Sequence, residues 1–211
     1  MIGICFAKFA KCHANNLCGE SCTGVQIPLP ALMKRTRITY FVHSTTTDNE
    51  KGIATGWSHG RLSKLGRKQS LQLKKLVRGR KFSAVFCSDL KRAVDSARIA
   101  FGNNIIKDRR LRECNYGDFE GKQSKIVDND MTRRIIRPFP KGESYKDVEK
   151  RIREFLKDVS KNYSDKHIAI VSHRAPQLAL DVILKGKSWK TAMKEDWRHK
   201  KAWKPGWAYN L

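Results

Sequence analysis

The 211-residue sequence lacks a run of about 18 apolar residues, the length a helix needs to cross a bilayer, so nothing in it reads as a membrane span. Prolines number only six and no internal repeat is present, which excludes collagen-like and solenoid architectures. Acidic residues are scarce: 20 Asp and Glu stand against 44 Lys and Arg, for a net charge of +24. Close cysteine pairs of the C-x2-C kind are also missing. Cys5, Cys12, Cys18 and Cys22 cluster around His13, but their spacing is poor for zinc, and no metal is expected. Cys87 and Cys114 sit in apolar or polar-motif segments and read as reduced thiols, a cytoplasmic pattern rather than a disulfide framework.

Hydrophobic residues at 40% and aromatics at 9% are enough to build one core, so the composition describes a very basic, soluble, single-domain protein. Residues 1–32 hold only Lys8, Lys11 and Glu20 as charges and show no periodicity, no secretory profile and little arginine. They are expected to be a disordered or mis-assigned extension, with Met33 as the natural start and a domain over 33–211. The excess charge therefore lies within the domain. It suits small phosphorylated or other anionic ligands; nucleic acid is the less favoured partner, and lysines on solvated helix faces are the alternative explanation. An aromatic and basic tail begins at about residue 189. Trp197, Trp203 and Trp207 alternate there with Arg198, Lys200, Lys201 and Lys204. It could stack bases, but an ordered cap on the core is preferred.

Strands and helices alternate after Met33. Ile38–Val42, Phe82–Cys87 and His167–Ser172 are short, nearly continuous apolar runs, as in strands buried on both faces, and Ile105-Ile106 is a fourth, shorter one. The intervening spacing predicts helices over Leu62–Val77, with Leu65, Leu71, Leu73 and Leu76 as its apolar positions, over about Leu90–Phe101 behind an N-cap at Ser88 or Asp89, from Glu143-Ser144 through Val159, and over Gln177–Leu184. Residues 111–142 read as loop-rich. This is the pattern of an α/β three-layer sandwich with a mainly parallel central sheet flanked by helices. In such sheets the site lies at the carboxyl ends of the strands. His43 and His173 each end a strand, and Arg92 follows another. Two imidazoles and a guanidinium together form a candidate phosphate pocket.

At these residues the chain resembles the histidine phosphatase superfamily, the phosphoglycerate mutase-like family. The carriers are His43 with Asn49 six residues on, Thr55-Gly56-Trp57, Ser88-Asp89-Leu90-Lys91-Arg92-Ala93, Leu111 to Gly121 around Glu113, Pro140 to Ser144, and Val171-Ser172-His173. The resemblance spans about residues 36–185. It implies a phosphomonoester hydrolase acting on a small phosphorylated metabolite without a cofactor. His43 would form a phosphohistidine and Glu113 would protonate the leaving oxygen. Arg92, Asn49 and His173 would hold the phosphoryl oxygens, with Thr55, Gly56, Tyr116 and Arg174 completing the substrate side. Phosphoglycerate mutase-type transfer is the enzymatic alternative, to which Arg133-Arg134 lend some support. A phosphate- or nucleic-acid-binding relative without turnover is the other.

Two departures qualify this. The family's arginine before the nucleophile is Val42, and the glycine after it is Ser44. One lost guanidinium is worth about 2–4 kcal/mol of transition-state stabilisation, or roughly 30- to 1,000-fold in rate, which predicts a weakened enzyme. Arg174, where the family has glycine, is expected to supply the missing guanidinium from the opposite side.

Overall fold

The computed structural model describes residues 35–200 and 206–211. The proposed 1–32 extension lies outside the described residues. Five strands form one sheet: β1 (Arg37–Val42), β2 (Ala84–Cys87), β3 (Ile106–Lys107), β4 (His167–Ser172) and β5 (Trp207–Asn210). Their order is β3-β2-β4-β1-β5, parallel throughout except for β5, which runs antiparallel along β1. The helices are α1 (Thr47–Glu50), α2 (Lys64–Val77), α3 (Lys91–Phe101), α4 (Ser124–Asp130), α5 (Tyr145–Asn162), α6 (Arg174–Lys185) and α7 (Trp189–Lys194).

Alternation along the strands explains the three layers. Ile38, Tyr40, Ile168 and Ile170 turn to one face, where Val148, Ile152 and Phe155 of α5 and Leu178 of α6 cover them. Phe41, Ala169 and Val171 turn to the other, under Leu73 and Val77 of α2 and Val94 and Ala97 of α3. Successive strand side chains must point to opposite faces, so a sheet apolar at every position has to be covered twice. Each fully buried aliphatic or phenyl group contributes roughly 1.5–3 kcal/mol. Helix α5 shows the local logic most clearly. Ser144 caps it, accepting from the Asp147 N–H while the Asp147 carboxylate reaches back to the Ser144 N–H. Val148, Ile152, Phe155, Leu156 and Val159 then form its buried stripe.

Three elements differ from the sequence expectation. Helix α2 buries Gly66, Ser70, Leu73 and Val77, whereas Leu65, Leu71 and Leu76 are 51%, 52% and 44% exposed. Its inner face is set by close approach: a Cβ on Gly66 would stand 1.9 Å from the Thr45 carbonyl oxygen, so a leucine stripe there would hold the helix off the loop after β1. Helix α3 starts behind Leu90 without a side-chain cap, since Ser88 accepts from the Leu90 N–H and Asp89 instead binds Arg112. Helix α6 begins three residues earlier than predicted, at Arg174, immediately after His173. The residues beyond 189 supply α7 and β5. The Tyr209 hydroxyl ties β5 to α6, accepting from Gln177 and donating to Asp181.

Candidate active site

Register brings the two histidines together. Val42 of β1 pairs with Ser172 of β4, and the His43 N–H donates to the Ser172 carbonyl at 2.8 Å, so both chains leave the sheet at the same level. The His43 and His173 rings lie 5.0 Å apart. His43 Nδ1 is 2.8 Å from the Ser44 carbonyl oxygen. A carbonyl only accepts, so Nδ1 carries the proton and Nε2 keeps its lone pair. Burial, and then the nearby Arg92 charge, push the His43 pKa down to about 3, so the ring is neutral at ordinary pH. Burial, Arg92 and His43 likewise hold His173 well below the usual range. His173 is fully buried and both its ring nitrogens lack a partner among the described residues. Its backbone is fixed by Tyr40, whose hydroxyl donates to the His173 carbonyl and accepts from its N–H.

Arg92, in the first turn of α3, is buried. It spends two donors on backbone, giving Nη1 to the Ser58 carbonyl at 3.0 Å and Nη2 to the Gly56 carbonyl at 2.6 Å. The other side of that loop is gripped by Glu120, which accepts from the N–H groups of Trp57 and Ser58 and from the Ser58 hydroxyl. Gly56 is in the left-handed region, and a Cβ on it would stand 2.3 Å from the Glu120 carboxylate, so glycine is needed on both counts. Thr55 donates to Asp48. Asn49 closes a capping box on α1 with Thr46. The carboxylate of Glu113, from the loop after β3, sits against the first N–H groups of α6. Its Oε1 accepts from the Cys114 and Ala175 N–H groups and its Oε2 from the Arg174 N–H. Its carbonyl is bound by the Trp57 indole and by Arg151. Tyr116 is buried against Phe139.

A cavity of about 520 Å³ gathers His43, Asn49, Thr55, Gly56, Arg92, Glu113, Tyr116 and Arg174 in its wall. His173 lies behind His43 rather than in that wall. Val42 and Leu65 give the same wall an apolar stretch. Arg174 does not stand free to replace the guanidinium absent at Val42. Its Nε binds Asp196 at 2.5 Å and its Nη1 binds Asp128 at 2.7 Å, and Arg198 bridges the same two carboxylates. The residue following His173 enters α6, and this carries its side chain to the α4 and C-terminal wall. Arg134 is likewise committed, pairing with Asp130, donating to the Pro138 carbonyl and covering the Phe119 and Phe139 rings. Arg134 is thus not free to bind a substrate, and the mutase alternative keeps only Arg133 and the segment around Glu113.

The sequence does not announce Asp128 and Asp196, which border or brace this wall, nor that Trp197 and Arg198 of the tail lie in it. No local pattern announces a pair 46 or 70 residues apart. Ser44 also proves to be well housed. Its φ is not positive, since Lys141 and Asp165 are the non-glycine residues with positive φ among the described residues. Its hydroxyl bonds that of Ser70 and its N–H donates to Ser96.

The histidine phosphatase superfamily (branch 1) matches residues 40–202. The chain belongs to this superfamily. It is 30% identical over 155 residues to a putative phosphoserine phosphatase 2 of Hydrogenobacter thermophilus, covering 68% of this chain and 76% of that one. It is also 30% identical over 144 residues to a probable fructose-2,6-bisphosphatase TIGAR A of Danio rerio, covering 62% of this chain and 56% of the relative. Among solved structures, a mycobacterial glucosyl-3-phosphoglycerate phosphatase in complex with VO3 superposes with a TM-score of 0.65 at 26% identity, over 75% of this chain and 86% of that one. All three carry phosphatase names, and the sandwich of the solved one is that described above.

Proposed function

We propose that the chain is a phosphomonoester hydrolase that works through phospho-His43 on a small phosphorylated metabolite. The observation that carries this reading is the His43 tautomer. Nδ1 is held by the Ser44 carbonyl, and Nε2 is left as a neutral nucleophile in the cavity wall beside Arg92. Nε2 attacks phosphorus, the P–O ester bond breaks, and Glu113 passes a proton to the leaving oxygen. Water then attacks the phosphohistidine, its proton passes to the Glu113 carboxylate, and phosphate departs with His43 restored. Arg92 supplies positive charge to the equatorial oxygens, and the buried ring of His173 packs against that of His43 from outside the cavity wall. Asn49, Thr55, Gly56 and Tyr116 shape the substrate side. With Val42 in place and Arg174 committed elsewhere, the phosphoryl site is one guanidinium short, and turnover is correspondingly slow.

The test is a single-turnover reaction with ³²P-labelled substrate, stopped in base. Acid-labile, base-stable label should appear on the protein and be absent from His43→Ala. Label that survives His43→Ala would overturn the assignment. Glu113→Gln should slow alkyl phosphates far more than p-nitrophenyl phosphate, whose leaving group needs little protonation.

A further inference from the structure

Beyond the wall formed by Arg174 and Arg198 lies a second concavity, of about 660 Å³, which shares Asp128, Arg174 and Arg198 with the catalytic cavity. Lys190 and Lys194 of α7 line it. They stand four residues apart on one face of the helix, both are exposed, and neither has a carboxylate partner among the described residues. Like charges at that spacing cost an isolated helix a few tenths of a kcal/mol, so packing alone gives no reason for the pair. The dividing wall itself has donors to spare. Asp128 and Asp196 take Nε and one Nη of each arginine, while Arg174 Nη2 and Arg198 Nη1 have no acceptor among the described residues. The concavity is thus lined by four cations, Arg174, Lys190, Lys194 and Arg198, and by the one carboxylate of Asp128, with Asp196 buried and outside the lining, and the excess is positive.

We propose that this concavity is a subsite for a second anionic group, so that the substrate carries a phosphate or carboxylate at the end remote from the scissile phosphate. The inference rests on the phosphatase reading for which end reacts. The remote group displaces water from Lys190 and Lys194 and takes the spare arginine donors, while Asp128 and Asp196 keep the fork of Arg198 oriented. Two anchors also align the scissile phosphate with His43, which would offset part of the loss at Val42.

Non-hydrolysable probes separate the subsite from turnover. Calorimetry on the full chain would compare alkylphosphonates bearing one anion with α,ω-bisphosphonates and ω-carboxyalkylphosphonates, in chain lengths from propane to octane. At the best length, a two-anion probe should bind about tenfold or more tightly than its one-anion counterpart, the equivalent of 1.4 kcal/mol. Comparing the bisphosphonate with the carboxylate arm shows which remote group is preferred. Lys190→Gln/Lys194→Gln should collapse the preference, and Arg198→Gln should reduce it. No preference in the native protein at any length, or a preference that survives the double substitution, overturns the proposal. Failure of the phosphohistidine reading would instead show as absent turnover with the phosphonate preference intact.

Discussion

The two arginine-bearing walls of the cavity treat charge in opposite ways. At the strand ends, Arg92 donates to the carbonyls of Gly56 and Ser58 and has no ion pair among the described residues, and the histidines beside it stay neutral. On the far wall, Arg174 and Arg198 are bridged by Asp128 and Asp196. A guanidinium held by neutral carbonyls keeps its charge available to a ligand. One held by two carboxylates is largely cancelled and acts as a brace, with only its outward donors left to give. The same residue type is therefore free to meet a ligand in one place and serves architecture in the other, and the partner decides which.

Removing a carboxylate from the braced wall should give the largest effect. Asp196 is fully buried and accepts from both arginines, so Asp196→Asn leaves the buried Arg174 guanidinium under-compensated and takes one of two carboxylates from the part-exposed Arg198. A broken buried pair costs about 3–5 kcal/mol, which for a domain of this size lowers Tm by about 10 °C. Asp128→Asn, at a site with more solvent, should cost well under half as much. Equal and small losses in differential scanning calorimetry would mean that the wall is not a brace.

Acid should separate the two walls by pH window. His43 and His173 titrate near 6.5 when unfolded but far lower when folded, His43 at about 3. Below pH 6.5 the unfolded chain thus binds more protons than the folded one, and stability falls as pH falls, by up to roughly 1.4 kcal/mol per pH unit for each histidine. Asp128 behaves differently. Burial would raise its pKa, but Arg174 and Arg198 outweigh it and the net shift is downward. Its contribution is present above the unfolded carboxylate range near 4 and is lost only as pH drops through still lower values. Urea unfolding between pH 7 and 5 should show the slope in the native chain and a shallower one in His43→Gln. An unchanged slope would place the proton uptake elsewhere.

Much of this was legible in the sequence, and the exceptions share a cause. The strands, α5 and the placing of both histidines at strand ends follow from local apolar patterns and the rule for parallel sheets. His43 and Arg92 were legible in the same way, whereas Glu113 was legible only through the resemblance carried by the segment around it. The face of α2 was misread because its contacts are made by Gly66 and Ser70, which carry no hydrophobic signal yet permit the closest approach. Arg174 was misread because adjacency to His173 in sequence is not adjacency of side chains once a helix begins between them. The Asp128 and Asp196 partners were invisible because their pairing is created only by the fold.

The smallest expected effect sharpens the comparison at its catalytic side. Ser44 stands where a glycine was anticipated, and its hydroxyl meets that of Ser70, which also donates to the Gly66 carbonyl. In Ser44→Ala, Ser70 keeps its carbonyl acceptor and the Ser44 N–H keeps Ser96, so no buried group is stranded and the loss is about 1 kcal/mol. Ser44→Gly removes the same bond and adds backbone freedom to the unfolded chain, for a further 0.5–1 kcal/mol or so. The functional consequence runs through the Ser44 carbonyl, which fixes the His43 tautomer. A looser carbonyl lets the Nδ1 proton exchange with Nε2 and removes part of the nucleophile. Both variants should therefore lower kcat a few-fold with little change in KM, glycine more than alanine, and ¹⁵N spectra of the His43 ring should show a smaller share of the Nδ1–H form. If Ser44→Gly instead turned over faster than the native chain, the serine would be a constraint on His43 rather than its support.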